Sequence, residues 1–192
     1  MPDMDDQVYQ PEADTFLLLR AAEREVRPHD RVLEVGTGSG RVAAGLTKAA
    51  DSVVATDINP YAVLAARSCG VETVRCDLAA GLAGPFDLIV FNPPYLPTSP
   101  EERIDDWLEY ALDGGPDGRW VIERFIRDLG RILSPYGRVL LLVSTLTGLD
   151  AVREIFAAHG FVSFIVDEEP LEGERLYVLR ATRDFCRINA TG

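Results

Sequence analysis

Lysine is almost missing from this chain of 192 residues: Lys48 is the only one, every other cation is an arginine, and the formal net charge is −12. The acids run along the whole length, and no basic stripe interrupts them. Tracking a phosphate backbone takes clustered Lys and Arg, so nucleic acid is disfavoured as the main partner. Acidity with so little lysine suits an extreme halophile's cytoplasm, where salt screens self-repulsion, and halophilic adaptation is expected. Cysteine and histidine are scarce too. Cys69, Cys76 and Cys186 are odd in number and lack C-x-x-C spacing, while His29 and His159 lie far apart. Buried thiols and a surface imidazole are expected, with no disulfide and no metal. Nothing approaches the run of roughly eighteen apolar residues that a membrane span requires, and residues 1–6 have neither the basic nor the apolar region of a leader. These absences point to the cytoplasm, where the sequon Asn189-Ala-Thr191 would never meet the glycosylation machinery.

What is present is regular alternation. Short β-like runs at 31–35, 52–56, 72–76, 87–91, 137–143, 161–166 and 175–181 exchange with helical runs at 11–25, 41–49, 60–68, 119–133 and 149–158. That order is the signature of an α/β fold, a mostly parallel sheet covered by helices on both faces. The last two strands are joined by a short polar link, 167–174, without a helix, so they should form an antiparallel hairpin at the sheet's end. Seven strands, with the last one reversed, are predicted in one domain spanning 1–192, and 1–30 forms an N-terminal helical segment. In that segment Phe16, Leu17, Leu19 and Ala22 recur at near-helical spacing and should pack into the core.

One long stretch lacks clear structure. Residues 97–118 hold three prolines and the cluster Gly114-Gly115-Pro116-Asp117-Gly118. Long loops in compact domains are functional or disordered, and this one follows a strand's carboxyl end, so 96–118 is expected to face substrate. Its acidic run, Glu101, Glu102, Asp105 and Asp106, reads as solvated surface, or as attraction for arginines near a substrate.

The first strand meets its helix through "VLEVGTGSGR", with Gly36, Gly38 and Gly40. Glycines there let the backbone turn tightly and approach a ligand. A dinucleotide fingerprint wants its third glycine one residue later than Gly40, where Arg41 stands. Three acids accompany the loop: Glu34 precedes it, Asp57 ends the second strand and Asp77 the third. Parallel strands bring these carboxylates to one edge. Taken singly each could be a cap or turn residue, but together they would repel a pyrophosphate. They suit a cofactor with a sulfonium, an α-ammonium and a ribose diol, with Asp57 accepting from the diol and Asp77 meeting the adenine amine. S-adenosylmethionine has those features.

The fourth strand ends in "FNPPY". Pro93 and Pro94 fix their own φ, hold the residue before them extended and contribute no N–H. They leave a rigid rim of acceptors: the Asn92 side-chain oxygen and the Pro93 carbonyl. Both could take the hydrogens of one planar NH2 group while Tyr95 stacks on its plane. Methyl transfer from a sulfonium is an in-line displacement that needs alignment more than a strong base, so no His, Cys or Lys is required.

These residues carry a resemblance. "EVGTGSG", "DINP" and "FNPPY" are similar to class I (Rossmann-like) methyltransferases of the HemK-like release-factor glutamine methyltransferase group. "VYQPEADTFLLL" at 8–19 and "GGPDGR" at 114–119 resemble its archaeal and eukaryotic branch over nearly the whole chain. The resemblance implies N5-methylation of the glutamine in the Gly-Gly-Gln motif of a class I translation release factor. It implies that Thr15, Glu34, Gly36, Asp57, Asp77, Leu78 and Asn92 contact S-adenosylmethionine, and that Asn92 also holds the substrate amide. It further implies a small zinc-binding activator protein that pairs with the edge formed by the third strand, where "VETVRC" offers little protecting charge. Gln10 and Ala13 depart from the pattern, since relatives commonly carry glutamates there. Two other functions share these motifs: methylation of an exocyclic adenine amine in DNA or RNA, and a non-catalytic scaffold that keeps the fold.

Overall fold

A computed structural model describes residues 7–98 and 106–188 of the chain. Glu101, Glu102 and Asp105 of the acidic run and the sequon at 189–191 lie outside the described residues. In chain order the elements are α1 (Ala13–Glu25), β1 (Arg31–Val35), α2 (Arg41–Leu46), β2 (Ser52–Asp57), α3 (Pro60–Ser68), β3 (Glu72–Arg75), β4 (Phe86–Phe91), α4 (Trp107–Tyr110), α5 (Trp120–Ile132), β5 (Leu133–Ser144), α6 (Leu149–Ala158), β6 (Phe161–Pro170), β7 (Arg175–Arg183) and α7 (Phe185–Ile188). The seven strands form one sheet in the order β3-β2-β1-β4-β5-β7-β6. Neighbours from β3 to β5 pair in parallel, and β7 runs antiparallel to both β5 and β6. The reversed last strand is therefore present, inserted between β5 and the edge strand β6.

Period-two alternation explains the two-sided core. Along β4, Leu88 and Val90 face a cluster built with Leu17, Leu18 and Ala22 of α1 and Val42 and Leu46 of α2. Ile89 and Phe91 face the opposite cluster, with Ile122, Phe125 and Leu129 of α5 and Phe156 of α6. Phe91 meets Phe125 edge-on with ring centroids 4.8 Å apart. Each such buried side chain stabilises by about 1.5–3 kcal/mol relative to exposure. Phe16 departs from the expectation: it is 48% exposed and lies under the guanidinium of Arg41. The thiols also depart from it, since Cys69 and Cys186 are exposed and Cys76 is half-buried, all three free.

One boundary differs from the sequence pattern for tertiary reasons. Half of the polar link 167–174 is strand: pairing runs on to Pro170↔Arg175, leaving a turn at 171–174. Its acids stay in the ladder because cations meet them. Arg20 and Arg24 of α1 bind Asp167, and Arg175 pairs with Glu168. At the other end of the sheet from the glycine loop, Arg138 is buried and its Nη2 lies 2.6 Å from Asp30 Oδ2. It also donates to the Glu25 and Asp87 carbonyls, tying α1 and the start of β1 to β5. No helix among the described residues is long and apolar enough to cross a membrane. No cluster of His, Cys, Asp or Glu among them could hold a metal ion.

Candidate active site

The strand order reverses between β1 and β4, so the chain leaves their carboxyl ends in opposite directions and a crevice opens there. It holds a cavity of about 560 Å³, ample for a drug-sized ligand. The glycine loop forms one wall. Gly36 and Gly38 have φ of 63° and 53°, the left-handed region open to glycine, and a Cβ on Gly36 would press to 3.3 Å from the Phe91 ring. Gly40 also has positive φ, but it is not in the cavity wall. A Cβ there would stand 2.7 Å from Ala66 Cα, so Gly40 lets α2 approach α3.

Glu34 points to the α2 side of β1, where its Oε2 accepts from Thr37 Oγ1 at 2.6 Å and Ala43 N at 2.9 Å. Burial pushes its carboxyl up to about 8, against the pull of those two hydrogen bonds and with help from nearby Asp57. Asp57, at the end of β2, accepts from Gly38 N and Asn59 N at 2.9 Å each. Burial raises its pKa, and the backbone donors oppose the rise. The N-cap of α3 is Asn59, whose Oδ1 accepts from Tyr61 N, so capping does not account for Asp57. Asp77 lies two residues beyond the short β3 and bonds Arg124 of α5 across the cavity. Leu78, next to it, has φ 51°, a costly conformation for a leucine that such sites hold by their surroundings.

Asn92, Pro93, Pro94 and Tyr95 line the same cavity. Asn92 Nδ2 donates to Asp14 Oδ2 at 2.9 Å, and its Oδ1 is buried with no donor among the described residues. The Tyr95 phenol is raised above its ordinary range, chiefly by burial and then by Glu174 and Asp14. The segment after it closes back on the motif. Leu96 bridges Asp113, Gly114 N donates to Leu96 O at 3.0 Å, and a Cβ on Gly118 would stand 2.4 Å from Tyr95 O. The glycine cluster thus exists so that backbone can lie against backbone. Between them α4 adds Trp107 and Tyr110 to the cavity wall.

The structure brings Thr15, Glu34, Gly36, Gly38, Asp57, Asp77, Leu78 and the four residues 92–95 to one cavity. It adds Tyr9, Asp14, Trp120 and Arg124, which periodicity could not mark. Asp14 sits in "ADTF" beside Thr15, and that pattern was the one available signal. Arg124 is the one cation among the described lining residues, and it is spent on Asp77. The carboxyl groups of Asp14, Glu34, Asp57 and Asp77 in this wall fit a donor carrying a sulfonium and an ammonium, and do not fit a pyrophosphate.

Comparison with known proteins agrees with this chemistry. The family model described as "Methyltransferase small domain" matches residues 10–104. A protein of Methanocaldococcus jannaschii that carries the provisional name protein N5-glutamine methyltransferase is 40% identical, over 92% of each chain. Human Methyltransferase HEMK2 is 35% identical over 92% of this chain and 90% of its own. Among solved structures, the Mtq2–Trm112 complex of E. cuniculi, described as responsible for methylation of the eRF1 translation termination factor, superposes with a TM-score of 0.78. It is 31% identical and covers 92% of this chain and 99% of the matched one. The chain belongs to the HemK-like family of protein N5-glutamine methyltransferases, α/β enzymes that use S-adenosylmethionine as methyl donor.

Proposed function

We propose that this enzyme methylates N5 of the glutamine in the Gly-Gly-Gln motif of a class I translation release factor. The observation that carries it is the buried Asn92 Oδ1, with no donor among the described residues, on the wall of the cavity. Native structures leave few such atoms unsatisfied, and a primary amide supplies the missing hydrogen. With one N–H on Asn92 Oδ1 and the other on the Pro93 carbonyl, the substrate nitrogen is aimed along one line, and Tyr95 covers the amide plane. Alignment of this kind can lower a barrier by roughly 7–11 kcal/mol. Bound S-adenosylmethionine supplies an electrophilic methyl group. The amide nitrogen forms the new N–C bond as the methyl's bond to sulfur breaks, and the extra proton then leaves to water. In this reading Asp57 accepts from the ribose hydroxyls, Asp77 and Leu78 face the adenine, and Thr15, Glu34, Gly36 and Gly38 surround the methionine end.

The partner is read from the sheet edge. β3 ends the sheet, and Ile58, whose carbonyl accepts from Arg75 Nε of β3 at 3.2 Å, and Leu64 of α3 are exposed. An unprotected edge with apolar neighbours suits strand pairing with another protein. The Mtq2–Trm112 complex supports a protein partner; a small zinc-binding activator on that edge, with both proteins in the cytoplasm, is our reading. Incubation with labelled cofactor tests the substrate: the purified chain, with any activator that co-purifies, receives either release factor or DNA and RNA. Label on the release-factor glutamine, lost in Asn92→Ala, is expected. Label in nucleic acid alone would overturn the proposal in favour of adenine methylation.

A further inference from the structure

A primary amide fits its own site in two orientations, related by a half-turn about its last side-chain bond. They fill nearly the same volume, so packing does not choose between them; hydrogen-bond partners do. For Asn92 the choice is functional, because only one orientation presents an acceptor to an incoming NH2 group. The other presents a second NH2, which the substrate cannot use.

Asp14 makes that choice unequal. It lies in the first turn of α1, only 4% exposed, and it gathers donors on both oxygens. Oδ1 accepts from Thr15 N and, at 3.2 Å, from Thr15 Oγ1. Oδ2 accepts from Asn92 Nδ2 at 2.9 Å and from the Tyr9 hydroxyl at 3.0 Å. A carboxylate so surrounded has only lone pairs to offer, and whatever faces it must donate. Turning the Asn92 amide over would set its oxygen 2.9 Å from another acceptor and leave two N–H donors without this partner. We propose that Asp14, held by Tyr9, is the positioning residue that keeps the Asn92 oxygen turned toward the substrate amide.

Tyr9 is suited to its part. Burial first, and the nearby Asp14 next, push its phenol above the ordinary range, so it remains a donor to Asp14 throughout the neutral range. The segment that carries both residues comes from the N-terminal side of α1, while Asn92 ends β4, so the device also fastens this segment to the sheet. Asn59 Nδ2 assists by donating to Gln7 O at 2.7 Å. The functional half of this inference rests on the amide-transfer reading above, whereas the orientation of Asn92 can be measured without any substrate.

Asp14→Asn provides the test. Its own amide can keep an oxygen for Thr15 and turn its NH2 toward position 92, which forces the Asn92 amide to flip. Transfer to the release factor is expected to fall in kcat on the order of a hundredfold, the scale found when one preorganised polar group is lost from an active site. The Kd for S-adenosylmethionine, read by calorimetry on the same variant, separates any loss of carboxylate attraction in the cavity from the fall in kcat, which is measured at saturating cofactor. The double variant Asp14→Asn with Asn92→Asp restores an oxygen to the cavity, because the new carboxylate at 92 accepts from the new amide at 14. It should recover at least about tenfold over Asp14→Asn, a rescue that a merely structural role would not produce. Full turnover in Asp14→Asn, or a double variant no better than the single, overturns the proposal. If the wild-type chain transfers no methyl to release factor, the proposed function fails by itself. Orientation is then read from exchange of the Asn92 side-chain NH2 protons by NMR: slow in wild type and fast in Asp14→Asn supports the device, and equal rates overturn it.

Discussion

Cofactor binding is expected to expel a proton, and Glu34 is the group that releases it. Burial holds the Glu34 carboxyl up at about 8, so at pH 7 about nine in ten molecules carry it protonated. A sulfonium and an ammonium in the cavity favour the charged form, and ionising the group at pH 7 costs about 1.4 kcal/mol, or about tenfold in Kd. At pH 6 the penalty grows to about a hundredfold. The Kd should therefore tighten about tenfold per pH unit from about 6 to 7.5, below the titration of an α-ammonium, and level off above pH 8. Titration calorimetry at pH 7 in two buffers of different ionisation enthalpy should report close to one proton released. Glu34→Gln keeps an oxygen for Thr37 and Ala43 and should lose most of the release, with Asp57, also raised by burial, contributing a smaller slope of the same sign. A wild-type Kd that is flat across this range, or a variant with an undiminished slope, would refute the reasoning. Stability follows the same linkage. A carboxyl raised in the fold binds its proton more tightly there than in the unfolded chain, so it contributes stability at acid pH that fades as pH climbs from about 4.5 toward 8. The melting temperature of the cofactor-free chain should fall over that window, and Glu34→Gln should flatten the fall.

Gly118→Ala should lower kcat while leaving the cofactor Kd unchanged. The new Cβ would stand 2.4 Å from Tyr95 O at a φ of 72°, a strain of about 1–3 kcal/mol that presses on the backbone of the Asn92–Tyr95 rim; unchanged kcat would refute it. Asp30→Ala should cost about 3 kcal/mol in urea denaturation, because Arg138, 2% exposed, loses its bidentate partner and keeps only Glu25 Oε2, 3.3 Å from its Nε, as counter-charge. A loss below about 1 kcal/mol would show that Glu25 and the carbonyl partners suffice. Screening of a net charge of −12 should raise the melting temperature between dilute buffer and molar salt, and a flat response would remove the halophilic reading.

Alternation of apolar runs in the sequence was enough to determine the α/β class, five of the strands nearly to the residue and the full extent of α3 and α6, because period-two and period-3.6 burial are local properties of the chain. The strand-end carboxylates and the Asn-Pro-Pro-Tyr rim were legible for a related reason: parallel strands carry their carboxyl ends to one edge whatever the details of packing. Tertiary contacts decided the rest. The ladder through Asp167 and Glu168 depends on Arg20 and Arg24, more than a hundred residues away. Gly40 serves a helix crossing at Ala66, a role that spacing within the loop cannot distinguish from ligand contact. Asp77 faces Arg124 and Asn92 faces Asp14, and these pairings set which lone pairs remain for a ligand. Hydrogen-bond satisfaction is a property of the assembled interior, so the residue that turns the Asn92 amide appears only once α1 has been laid against the end of β4.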